Sequence, residues 1–202
     1  MKVIGLSGGS GSGKSTVAKI FSNYGFASIN ADEVYHGLIS KKTPCTQALA
    51  KEFGEGILNT DGGIDRSLLA AIVFGDNASE KRKKLNEISH KYVIAEIDRI
   101  ISRLDSDTLF GVIVDAPLLF ESGFDKKCDT IIAVIVPEEK RIKRICKRDG
   151  ITEDHARRRI SAQLSDEFLL SRADYVIVND GDIVALEEKT KKIIENIKTV
   201  RR

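Results

Sequence analysis

The chain has no tryptophan, and its 202 residues hold only four Tyr, eight Phe, three Pro, three Cys and one Met. An aromatic share of 6% removes the stacking platforms on which single-stranded nucleic acids are held. An excess of one charge is also missing. The 32 Lys and Arg against 30 Asp and Glu leave a formal net charge of +2, which nominates neither a nucleic acid nor a membrane surface as partner. Cys45, Cys128 and Cys146 are odd in number, far apart, and form no CxxC or Cys/His pattern of zinc spacing, which points to a reducing compartment. Long apolar runs are absent. Val3, Ile4 and Leu6 precede a glycine cluster too closely to form a signal h-region, and the run 131–136 is too short to cross a bilayer. A cytoplasmic protein with no nucleic-acid or membrane partner is expected.

What is present is enough for a buried core: 42% apolar and 31% charged residues, at a length that fits one domain, 1–202, carrying a lid or an insertion. Five short runs rich in β-branched and aromatic residues read as buried strands at 3–7, 26–29, 110–114, 131–136 and 175–178. Helical periods such as Val17, Ile20, Phe21 and Tyr24 lie between them, and the alternation predicts an α/β fold: a five-stranded parallel sheet with helices on both faces. Residues 32–104 show no strand pattern but recurrent helical ones, around Leu49 and Phe53, Leu69 and Val73, and Leu85 to Val93, and read as a helical insertion. A second strand-free stretch, 138–172, has the makings of a helical lid.

The strongest signal is Gly8-Gly9-Ser10-Gly11-Ser12-Gly13-Lys14-Ser15, which satisfies G-x-x-x-x-G-K-[ST] between the first strand and a helix. Such a loop turns backbone N–H groups toward phosphate oxygens, the helix N-terminus adds partial positive charge, Lys14 brings a mobile cation, and Ser15 offers a hydroxyl to Mg²⁺. A nucleoside triphosphate with magnesium is the expected ligand. The competing reading is a glycine-rich turn that binds nothing. Val112-Ile113-Val114-Asp115 supports the nucleotide, because a carboxylate ending a parallel strand can hold the metal's water shell; an aspartate that caps the next helix is the alternative.

The GTPase patterns NKxD and DxxG do not occur, so the sequence is not that of a switch. After Pro137, six of nine residues are basic: Lys140, Arg141, Lys143, Arg144, Lys147 and Arg148. At 100° per residue they share one broad face, with Ile142, Ile145 and Cys146 on the other. This is either a solvated charged face or a cationic surface that meets a triphosphate, with Arg157, Arg158 and Arg159 sharing the task and Gln163 one turn beyond Arg159. Asp32 follows the second strand, where this fold places its ligand crevice. It reads as the group that accepts or aligns an acceptor hydroxyl, or as the N-cap of a helix starting near Glu33.

Together these residues resemble dephospho-coenzyme A kinases. The resemblance is carried by residues 5–16, Asn30-Ala31-Asp32, Phe53-Gly54, residues 61–66, Asp115-Ala116-Pro117-Leu118-Leu119-Phe120-Glu121, the arginine-rich stretch through Thr152, residues 158–163, and residues 173–181 with their Asn179-Asp180-Gly181. It implies transfer of the γ-phosphoryl of ATP to the ribose 3′-hydroxyl of dephospho-CoA, the last step of coenzyme A biosynthesis. A related P-loop kinase acting on a nucleotide or small alcohol is the alternative. Under the resemblance Asp32, Lys14 and Arg144 are catalytic, and Gly11, Ser12, Gly13, Lys14, Ser15, Thr16 and Asn179 hold ATP, Asn179 near the adenine. Ser15 and Asp115 serve Mg²⁺. Within the insertion, Asp32, Arg66 and His90 meet the CoA substrate. Two positions depart from the family pattern. Asn30 stands where the first carboxylate of an Asp-Ala-Asp element is expected, and Lys91 follows His90 where proline is common. A monomer or weak homo-oligomer is expected.

Overall fold

The computed structural model describes residues 1–75 and 78–199. In chain order the elements are β1 (Lys2–Ser7), α1 (Lys14–Asn23), β2 (Phe26–Asn30), α2 (Ala31–Ile39), α3 (Pro44–Phe53), α4 (Arg66–Val73), α5 (Ser79–Ile101), β3 (Gly111–Asp115), β4 (Thr130–Ile135), α6 (Glu138–Asp149), α7 (Glu153–Ser161), α8 (Asp166–Arg172), β5 (Tyr175–Val178) and α9 (Ile183–Thr199). The five strands form one sheet in the order β2-β3-β1-β4-β5. The pairs β1/β3, β1/β4 and β4/β5 are parallel. The residues divide into two compact units, Met1–Ile29 with Leu104–Arg202, and Asn30–Arg103.

The sheet unit is organised by β1, which lies between β3 and β4, with Leu6 beside Asp115 on one side and Ile132 on the other. Because side chains alternate along a strand, Ile4 and Leu6 point into one core with Val17 and Phe21 of α1, Ile113, Ile132 and Ile194 of α9. Each such fully buried side chain contributes about 1.5–3 kcal/mol of transfer free energy. Between them, Gly5 faces the other way, where a Cβ would come within 2.8 Å of Cys128 Sγ and 3.0 Å of Leu119. Chain reversal after the central strand therefore sets the phosphate-loop sequence at the carboxyl end of β1, flanked by strands on both sides, which is where open parallel sheets bind ligands.

Strand limits differ by one residue from the sequence reading in four strands: β1 starts one earlier, β2 ends one later, and β3 and β4 shift whole by one. Phe110 falls outside β3. Its N–H donates to Gly25 O at 2.9 Å, and its ring lies under Lys198, whose Nζ is 3.6 Å from the ring centroid.

The unit Asn30–Arg103 is helical, apart from an isolated antiparallel bridge between Leu58 and Ile64. Its core gathers Ile39, Cys45, Leu49, Ile57, Ile64, Leu69 and Val73. The ends of its helices are written locally. Thr43 and Thr46 form a reciprocal capping box ahead of Pro44, and Asp65 caps α4 by accepting from Ser67 N and Leu68 N. The α5 helix runs unbroken through His90 and Lys91. A lysine keeps the backbone N–H that proline would remove, so no turn forms there. No helix of the described residues is long and apolar enough to cross a membrane.

Candidate active site

The loop between β1 and α1 is held by its acceptors. Lys14 Nζ donates to Gly8 O at 2.8 Å, Ser12 N to Gly9 O at 3.1 Å, Arg141 Nε to Ser10 O at 3.2 Å, Arg144 Nη1 to Gly11 O at 3.2 Å, and Asn179 Nδ2 to Ser12 O at 2.7 Å. Gly13 O accepts from Thr16 N and Val17 N. Every carbonyl from residue 8 to residue 13 is thus occupied. The donors are treated differently. Among the described residues no acceptor meets the N–H of Gly11 or Gly13, and Gly13, the N-cap of α1, gives that helix no side-chain cap. A loop whose carbonyls are drawn away while the Gly11 and Gly13 N–H groups and a helix N-terminus stay available can take an anion.

Gly13 has φ +97°, a left-handed conformation, and a Cβ there would lie 2.4 Å from Asn179 Nδ2. Glycine therefore lets Asn179 reach under the loop. Asn179 itself is 5% exposed and is fixed at the end of β5 by its N–H to Ile135 O at 2.8 Å. Its amide nitrogen braces the loop from the position that the resemblance assigns to ATP binding.

Asp115 ends β3 and is 6% exposed, with Oδ1 3.9 Å from Lys14 Nζ. Ser15 and Thr16 occupy the first turn of α1, Ser15 exposed. Ser12 is buried and its Oγ meets no hydrogen-bond partner among the described residues. Beside the loop, Ser7, Gly8, Pro117, Glu121, Gln163 and Leu169 help to line a cavity of about 70 Å³. Glu121 is exposed along its outer side, and partial desolvation of its carboxyl beside this cavity raises it above the ordinary carboxylate range.

The six basic residues of α6 divide by task. Arg141, Arg144 and Arg148 all reach the loop, Arg148 Nη2 donating to Ser10 Oγ at 3.1 Å, while Lys140 donates to Asp180 O. Arg141 does not stay on a presented cationic face: it is 5% exposed, because it sits one turn before Ile145 and only about 40° from it around the helix. Ile142 and Ile145 pack with Ala156 of α7. The triplet in α7 does not reach the loop in the way its charge suggested. Arg157 pairs with Glu138 and Glu139, Arg159 pairs with Asp149, and α7 ends before Gln163. Hydrogen bonds from Arg148, with Arg159 also close, hold the Asp149 carboxyl down to about 2.

The sequence profile of the dephospho-CoA kinase family, CoaE, matches residues 2–185. The chain belongs to the dephospho-CoA kinase family. A dephospho-CoA kinase of Aquifex aeolicus is 42% identical over 197 residues, covering 98% of each chain. Among solved structures, a dephospho-CoA kinase from Campylobacter jejuni is 30% identical with a TM-score of 0.71 and 98% coverage of both chains. Shikimate kinase from Acinetobacter baumannii, at 14% identity and TM-score 0.57, covers 98% of this chain and is 94% covered by it, and shares the fold. Members of the dephospho-CoA kinase family are kinases of the last step of coenzyme A biosynthesis.

The other family-implied residues lie in the helical unit. Asp32 is exposed in the first turn of α2. It does not cap that helix, contrary to the alternative its position suggested. Asn30 is the cap, its Oδ1 accepting from Asp32 N at 2.9 Å and Glu33 N at 3.2 Å, so the departure from the Asp-Ala-Asp pattern is a residue with a local task. Arg66 is the exposed first residue of α4. Tyr35, which the sequence reading missed, has a hydroxyl raised mainly by burial and lowered in part by Ser89 and Arg66, which puts Arg66 in its neighbourhood. His90 is half-buried in α5, and burial lowers its pKa. Tyr35 and Glu121 carry no periodic or spacing signal of their own.

Proposed function

We propose that this chain transfers the γ-phosphoryl group of ATP to the ribose 3′-hydroxyl of dephospho-CoA, releasing CoA and ADP, and that the phosphate loop and α6 form its triphosphate site. The observation that carries the reading is the complete engagement of carbonyls 8–13, four of them by Lys14, Arg141, Arg144 and Asn179, beside open donors at Gly11 and Gly13. Anions are stabilised by such preorganised dipoles without any reorganisation cost at the moment of transfer.

Lys14 meets the β- and γ-phosphates. Arg144 uses one nitrogen on Gly11 O. Its remaining donors stabilise the charge that spreads over the transferring oxygens. Asp32 accepts or aligns the proton of the acceptor hydroxyl, which its freedom from capping duty permits. Arg66 and His90 contribute to recognition of the CoA moiety, whose phosphates suit a guanidinium.

The residues present also fit Mg²⁺. No group of three or more His, Cys, Asp or Glu placed to hold a metal ion occurs among the described residues. Mg²⁺ bound with a nucleotide needs none, since it takes one or two protein oxygens and fills the rest with waters and phosphate. The Ser15 hydroxyl and the Asp115 carboxylate are hard oxygen donors of that kind, and they would hold it. When bound, the ion neutralises charge on the β- and γ-oxygens.

The test is an acceptor panel with ATP and Mg²⁺: dephospho-CoA, adenosine, nucleoside monophosphates and shikimate. Turnover with dephospho-CoA at least about a hundredfold above the others is expected. Phosphorylation of a nucleoside monophosphate without dephospho-CoA turnover refutes the assignment.

A further inference from the structure

The backbone of Ser10 is gripped on both sides of its Cα from the 138–172 region. Its N–H donates to Gln163 Oε1 at 3.0 Å, and its carbonyl accepts from Arg141 Nε at 3.2 Å. The same Gln163 Oε1 accepts from Arg141 Nη2 at 2.9 Å, and Arg141 Nη1 lies 3.5 Å from Asp166 Oδ1 of α8. One guanidinium thereby joins three segments, the loop, the start of α8 and the link before it. A Cβ at Gly9 would fall 1.9 Å from Arg141 Nη2, 2.6 Å from its Cζ and 2.9 Å from Gln163 Oε1. The space beside Gly9 is the seat of that guanidinium. An arginine end is ordinarily free to swing aside, but this one is 5% exposed and engaged on every nitrogen, so displacing it strips a buried cation of its partners.

We infer that Arg141, acting with Gln163, is a positioning residue that sets the crest of the phosphate loop, and that Gly9 is side-chain-free to accommodate it. Arg144 touches the loop through one contact and has donors to spare for a ligand, whereas Arg148 reaches Ser10 Oγ with a fork otherwise bonded to Asp149. Arg141 has both faces of its fork committed to protein. It works through the orientation of the Ser10 backbone and so through the N–H groups on either side of it, without contact to the phosphates. The inference rests on the loop being the triphosphate site.

A double-mutant cycle between positions 9 and 141 tests it. Gly9→Ala and Arg141→Ala should each raise KM for ATP about tenfold, the usual cost of a lost charge-assisted bond, with KM for dephospho-CoA within about twofold. Combined, they should cost about as much as one alone, because the methyl group added at position 9 then has no guanidinium to displace. Independent effects that multiply to about a hundredfold overturn the inference. So does an Arg141→Ala enzyme whose melting temperature falls while both KM values and kcat stay put, since that is the signature of a merely structural residue. If Arg141→Ala does not fold, Gln163 supplies the same test. Gln163→Glu keeps the shared acceptor and should hold KM for ATP within about twofold, whereas Gln163→Leu should raise it severalfold; equal behaviour of the two refutes the relay. Lys14→Ala run alongside separates the failures. Normal ATP binding by that variant overturns the triphosphate reading and the inference with it, whereas lost binding with a multiplicative cycle overturns only the role of Arg141.

Discussion

In the sheet unit, carbonyls 8–13 are all bonded, three arginines of one helix converge on the loop at Ser10 and Gly11, and a buried amide supports it from beneath. In the unit Asn30–Arg103 most polar bonds are local caps and turns: Asn30 to the start of α2, Thr43 to Thr46, Asn59 to the N–H groups of Asp61 and Gly63, and Asp65 to α4. Its candidate ligands Asp32 and Arg66 are exposed. The contrast follows from what each unit is proposed to meet. A triphosphate has fixed, concentrated charge and rewards dipoles set in advance. A long, flexible CoA moiety rewards a stable apolar scaffold that displays side chains and leaves them room to adapt.

The largest expected effects break the comparison along this line. Lys14→Ala should lower both ATP affinity and turnover by about two orders of magnitude or more, since it removes a preorganised charge from the phosphates. Asp32→Asn is nearly isosteric, so KM for ATP should stay within about twofold while kcat falls about a hundredfold. Initial rates with each substrate varied in turn separate the two. An Asp32→Asn enzyme that weakens ATP as strongly as Lys14→Ala would show that the division of labour is false.

That division was unequally legible in the sequence. The loop is a local pattern of eight residues, and the strand 175–178 is a local run of β-branched and aromatic residues, so both could be read without the rest of the chain. Arg141, by contrast, looked like one cation among six. Its burial depends on a small rotation relative to Ile145, on α7 covering that side, and on Gln163 arriving from 22 residues away. Asn179 behaved similarly: its chain position pointed to a ligand, while its partner, Ser12 O, is 167 residues distant. Asn30 shows the reverse. In the sequence it read only as a departure from the family's Asp-Ala-Asp element, and the cap it supplies became visible only once α2 was seen to begin at Ala31.

A smaller effect is expected at that cap. Asn30→Ala should cost about 1 kcal/mol, seen as a fall of roughly 2–4 °C in melting temperature. Asn30→Asp keeps an acceptor of equal capping strength and should melt within about a degree of the native chain. If the aspartate variant also retains kcat, then Asp32 is the only carboxylate of the element that turnover needs. A gain of several-fold in kcat would instead show that the first carboxylate is missed, and would make Asn30 more than a cap.

The smallest effect separates the units by pH. Burial holds the His90 pKa below its ordinary value, so between the two values the unfolded chain binds more protons than the folded one. The helical unit therefore has its full stability above about pH 6.5 and loses some as pH falls toward the folded value. Glu121 has the opposite sign. Partial desolvation of its carboxyl on an otherwise exposed residue raises its folded pKa above the unfolded value, so its small, solvent-screened contribution to the sheet unit is complete below the ordinary carboxylate pKa and is lost as pH rises through the raised one. Amide exchange, corrected for intrinsic rates and followed segment by segment from about pH 7 to about pH 5, should show opening of 30–103 increasing on acidification. His90→Gln should flatten that slope, and Glu121→Gln should leave it unchanged while altering only the slope of the sheet unit. A His90→Gln chain that keeps the native slope would move the titrating group elsewhere in the helical unit and remove histidine burial as its cause.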